Sequence, residues 1–78
     1  MEKRVIAYSS KMNGDLDDDY TLYDDGSVLH EYDKHRYPGG YNLKETLRAK
    51  EIKNSAKERL LNATNNNDID LAKELLGL

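Results

Sequence analysis

The chain has 78 residues, 37% hydrophobic and 35% charged, with a net charge of −3 at pH 7. That length admits one domain, near the size at which a single core is only just sufficient, and the clustering of its apolar residues excludes wholesale disorder. It contains no cysteine, which excludes a disulfide framework, a thiolate zinc site and a cysteine nucleophile.

The opening MEKRVIAYSS is basic but lacks the apolar stretch of a signal sequence, and no apolar run approaches membrane-spanning length. With the missing cysteines, this points to a soluble protein of a reducing cytoplasm with no membrane association. Residues 3–10 read as a first strand in which Val5, Ala7 and Ser9 alternate with Arg4, Ile6 and Tyr8. The segment 11–19, KMNGDLDDD, contains the turn dipeptide Asn13-Gly14, and its aspartates disfavour strand. It reads as a connection.

The next stretch, YTLYDDGSVLHEY, is a hairpin, with Asp24-Asp25-Gly26 between two runs of strand-forming residues. Two registers compete. A two-residue Asp25-Gly26 turn mixes Tyr20 and Leu22 with Leu29 and Glu31. A three-residue loop with Gly26 at positive φ puts Tyr20, Leu22, Val28, His30 and Tyr32 on one face, and this cleaner apolar face favours it. Strand 1 then pairs antiparallel with strand 2 in a meander, because sequential strands usually pair.

After Asp33, KHRYPGGY breaks the regular structure, since the residue before Pro38 is pushed out of the helical region and Gly39-Gly40 accepts almost any turn. Neither GxGxxG nor GxxxxGK[ST] occurs in the chain, so no nucleotide loop and no cofactor is implied. Asn42 with Glu45 could open a helix as a capping box, which leaves Leu43–Arg48 readable as helix or strand; a fourth strand is the preferred reading. Ala49, Ile52, Ala56, Leu60 and Ala63 form a helical stripe, and the helix carrying it starts near Lys50 or at the second capping signature, Ser55 with Glu58. Asn65-Asn66-Asn67 ends it. Asn67 or Asp68 then caps a last helix containing Ile69, Ala72, Leu75 and Leu76 and closed by Gly77.

The expected architecture is therefore a single α+β domain over residues 1–78. An antiparallel three- or four-stranded meander (about 3–48) precedes two C-terminal helices (about 50–76) packed on one sheet face.

Charge is polarised along the chain. Eight acids and no lysine or arginine lie between Asn13 and Asp33, and six bases against three acids between Lys44 and Arg59. Such asymmetry suits either a charged partner or pairing between hairpin and helix. The alternating acids from Asn13 to Asp19 are not a calcium loop, because Asp18 and Asp24 stand where an EF-hand needs glycine and glutamate. His30, His35 and Asp33 lack a metal-ligand spacing, so no metal site is assigned and His30 is read as structural. A small nuclease using His35, Arg36, Tyr37 and a lysine is the remote reading.

Tyr32, His35, Tyr37 and Tyr41 around Pro38-Gly39-Gly40, with Asp24 and Asp25 on the hairpin, are the candidate protein-binding residues, because tyrosine joins a large contact area to a polar tip. The rival surface is a basic stripe of Lys44, Arg48, Lys50, Lys53, Lys57 and Arg59 for nucleic acid, which the overall acidity disfavours. No catalytic set converges. The expectation is a non-enzymatic protein-binding or regulatory module with another protein, or a second copy of itself, as partner; its brevity would suit a mobile-element accessory protein.

Overall fold

The computed structural model describes residues 3–13, 16–33 and 43–78. The strands are β1 (Val5–Ser9), β2 (Met12–Asn13), β3 (Leu16–Tyr23), β4 (Ser27–Tyr32) and β5 (Leu43–Arg48). A 3₁₀ turn at Ala49–Glu51 leads to helix α1 (Asn54–Asn62), and a second at Asn66–Asp68 leads to α2 (Ile69–Leu76). All pairings are antiparallel, in the order β1-β3-β4-β5, with β2 beside β1 against the start of β3. This is the expected meander: four strands wide, its first edge interrupted at Ser10 and Lys11, followed by two helices.

The hairpin has the three-residue connection. Leu22 lies opposite Val28, Thr21 opposite Leu29 and Tyr20 opposite His30, and Gly26 has φ of 85°. Asp25 shapes the turn by accepting from the backbone N–H and the hydroxyl of Ser27, at 2.9 and 2.6 Å. Leu22 and Val28 are consequently fully buried under the helices, with Tyr20 nearly so. β5 adds Leu47 opposite Val28 and Glu45 opposite His30, so Leu43–Arg48 is a strand.

Three expectations are corrected. Strict alternation in the first strand gives way to a β-bulge between Val5 and Ala7, which turns the adjacent Ile6 and Ala7 both into the core and leaves Val5 about half exposed. The aspartate segment is not all connection, because β3 begins at Leu16 and runs through Asp17, Asp18 and Asp19. Backbone bonds exchanged with Lys11 and Asp33 and ion pairing of Asp18 outweigh the weak strand preference of aspartate. The Ser55–Glu58 capping box is not used: Lys53 is the N-cap of α1, in extended conformation and without a side-chain cap.

The helical stripe is split: Ala49 lies in the first 3₁₀ turn and Ile52 just after it in extended backbone, so only Ala56 and Leu60 fall within α1, although all four are buried. Ala63 is exposed, and Thr64 is buried instead, its hydroxyl donating to the Leu60 carbonyl, because the chain leaves the helix at that point. α1 lies against β1 and β3, while α2 packs on α1 and the first 3₁₀ turn. In α2 the fully buried residues are Ala72 and Leu76, with Leu75 only partly covered. Gly77, at φ of 75°, closes α2 with the paired bonds of a Schellman motif, Gly77 to Glu74 and Leu78 to Lys73. Asp68 is at the N-cap of α2 but makes no cap bond; its carboxylate takes the Arg4 guanidinium through both oxygens, at 3.1 and 3.2 Å.

Candidate functional site

Alternation along three strands brings Asp18, His30 and Glu45 to the helix-facing side of the sheet, beyond the apolar core. His30 lies between two tyrosine rings, nearly parallel to both, with centroids 4.3 Å from Tyr20 and 4.4 Å from Tyr32. Its Nε2 is 2.6 Å from an Asp18 oxygen and its Nδ1 is 2.8 Å from a Glu45 oxygen. Arg59 descends from α1 and donates to the other Asp18 oxygen at 3.1 Å, to the Asp18 carbonyl at 2.8 Å and to Ser9 through its hydroxyl and carbonyl. The guanidinium also lies 5.0 Å from the Tyr20 centroid, within cation–π range.

Burial raises the proton affinity of the Asp18 carboxyl, but its bonds and charge contacts with His30 and Arg59 outweigh this and hold it below the usual carboxylate range. Burial, reinforced by the Asp18 charge, pushes the Tyr20 hydroxyl up. At the opposite end of the sheet, Asp68 is held low by its bond to Arg4, and Asp25 by its bonds to Ser27.

The other sheet face has a different character. Val5, Tyr8, Thr21, Tyr23, Leu29 and Thr46 point away from the helices by strand alternation. Val5 and Tyr8 are 51% and 53% exposed. Lys3, Tyr23, Ser27, Leu29 and Thr46 line a shallow cleft of about 440 Å³, and Lys3 Nζ stands 5.2 Å from the Tyr23 centroid. Asp17, Asp19, Glu31 and Lys44 continue the same face toward its far end. A larger open cleft of about 700 Å³ lies beside the hairpin tip, lined by residues including Asp25, Arg48, Lys50, Glu51 and Glu74. Its charges are of mixed sign and it holds no histidine.

Of the candidate protein-binding residues, Tyr32 is half-buried and stacked on His30. Asp24 and Asp25 are exposed at the hairpin tip, where Asp24 accepts from the Arg4 N–H at 3.2 Å and Asp25 pairs with Lys3 at 3.6 Å. His35, Tyr37 and Tyr41 lie outside the described residues. The basic run is divided between layers. Lys44 and Arg48 share the sheet face opposite the helices, Lys50 is in the first 3₁₀ turn, Lys53 and Lys57 are at the start of α1, and Arg59 turns inward to Asp18.

Sequence reasoning placed His30 on the apolar face as a structural residue but missed Asp18, Glu45 and Arg59 as its surroundings. The Asp18-Tyr20-Leu22 and Leu43-Glu45-Leu47 alternations carried the signal for the two acids; nothing local pointed to Arg59. Among the described residues no group of metal-ligating side chains is placed to hold an ion, and no described helix is long and apolar enough to cross a membrane. Comparison with protein-family models, curated proteins and solved structures finds no match.

Proposed function

We propose that this chain is a non-enzymatic protein-binding or regulatory module whose contact surface is the sheet face opposite the helices. The carrying observation is the exposure of Val5 and Tyr8 on that face, beside the Tyr23–Leu29 cleft. Aromatic and aliphatic groups of this kind act as anchors in protein interfaces. A protein partner suits the surface better than nucleic acid, because its charges are mixed, with Asp17, Asp19 and Glu31 set against Lys44 and Arg48, rather than the uniformly basic patch that phosphates require. Arg59, moreover, is already committed to Asp18. The non-enzymatic reading is supported by His30, whose two nitrogens both face carboxylates rather than a cleft. The tyrosines at 37 and 41 and the histidine at 35 extend the candidate contact set in sequence.

The test is affinity capture from the native host with the wild-type chain and with Tyr8→Asp and Val5→Asp variants whose circular dichroism matches wild type. Capture of a defined protein that both variants lose is the expected result. In parallel, the chain is titrated with single- and double-stranded DNA and RNA. Micromolar or tighter binding that weakens with salt, and is lost when Arg48, Lys53 and Lys57 become alanine, would overturn the protein-binding reading. Sedimentation over a range of concentrations separates a foreign partner from a second copy.

A further inference from the structure

The geometry points to His30 as a proton-operated clasp: the doubly protonated ring ties Asp18 of β3 to Glu45 of β5, and loss of one proton releases Glu45. Carboxylates only accept hydrogen bonds, whereas a neutral imidazole has one donor and one acceptor nitrogen. Contacts of 2.6 Å to Asp18 and 2.8 Å to Glu45 are therefore both satisfied only when both nitrogens carry hydrogen.

The groups facing the ring agree. Among the described residues, the ring meets Asp18 and Tyr20 of β3, Tyr32 of β4 and Glu45 of β5, and the Asp18 carboxylate is shared with Arg59 of α1, which also bonds the uncharged Ser9 of β1. Two carboxylates among the described residues meet two cations when the ring is charged. When it is neutral, the half-buried cluster carries an excess negative charge beside an acceptor nitrogen that faces a carboxylate. One contact must then open.

The identity of that contact follows from the second partners. Asp18 is 20% exposed and also held by Arg59. Glu45 is 44% exposed, has no second bonding partner among the described residues, and sits on the edge strand β5. The neutral ring therefore keeps its proton on Nε2 toward Asp18 and lets Glu45 go, changing the charge and attachment of β5 without disturbing the contact to β3. This inference stands apart from the binding proposal, since it concerns the helix-facing side of the sheet.

The test is a pH titration by NMR of the full chain labelled on histidine ring nitrogens, glutamate carboxyls and backbone amides. The His30 ring is expected to be protonated on both nitrogens at the acid side of its titration and on Nε2 alone at the basic side. The Glu45 carboxyl and the amides of Leu43–Arg48 should shift with the same midpoint. In Glu45→Gln the ring still titrates but the β5 amides cease to follow it, and this variant keeps the stacked ring and the Asp18 contact even if His30→Gln fails to fold. β5 amides that stay still through the His30 titration, an Nδ1-protonated neutral ring, or an unchanged β5 response in Glu45→Gln would each overturn the clasp.

Discussion

Gly26 carries the hairpin by a conformation that other residues resist. Its φ of 85° belongs to the left-handed region, its N–H donates to the Tyr23 carbonyl at 3.1 Å, and its carbonyl accepts from the Ala49 N–H at 2.9 Å. A side chain there would meet Leu75 at 3.6 Å, an ordinary contact, so a substitution is penalised by backbone strain rather than by collision. Gly26→Val is expected to cost about 1–2 kcal/mol, read as a lower denaturant midpoint; an unchanged midpoint would remove the argument for this turn. The turn was legible because its chemistry is local. Asp25 reaches only two residues to Ser27, whereas Asp18 finds His30 12 positions away and Arg59 41 positions away.

At the scale of the element, the phase of each helix decides what its loss costs. Leu60 is fully buried between α1 and the sheet, and Leu60→Ala is expected to destabilise by about 2–5 kcal/mol, a large fraction of what so small a domain holds in reserve. The sequence pattern places Leu75 and Leu76 alike on the apolar side of the last helix, but Leu76 occupies the fully buried position of α2 and Leu75 only flanks the core beside Gly26. Leu75→Ala should therefore shift the urea midpoint measurably less than Leu60→Ala; an equal loss would contradict this helix phase. Apolar periodicity located both helices, but two adjacent leucines near a helix end satisfy it equally well. Only the docking of α2 on α1 and the 3₁₀ turn chooses between them.

Across the whole molecule, the acidic block and the basic run meet where Arg59 pairs with Asp18, while a separate surface pair, Arg4 with Asp68, ties the start of the chain to its last helix. The native Asp18 carboxyl lies below its ordinary range, so the unfolded chain takes up its proton first as pH falls. The stability from this group is present above the ordinary carboxylate value of about 3.9 and is lost as pH drops through the lower native value. Asp18→Asn should lower the melting temperature at neutral pH and flatten its decline in acid. A variant with the wild-type acid profile would show that Asp18 contributes nothing to acid sensitivity.

While it left Leu43–Arg48 open between strand and helix and missed β2, the sequence by itself determined the first strand, the hairpin and its register, the two C-terminal helices and the sheet face they cover. Each follows from short-range rules: a glycine at positive φ, alternation of period two, and an apolar stripe of helical period. The tertiary structure alone decided the bulge that buries both Ile6 and Ala7, the continuation of β3 through three aspartates, and the assembly of Asp18, His30, Glu45 and Arg59. The reason is the same in all three. Burial and ion pairing between residues distant in sequence can outweigh local preferences of less than about 1 kcal/mol per residue, and such pairings exist only after the strands and α1 have come together.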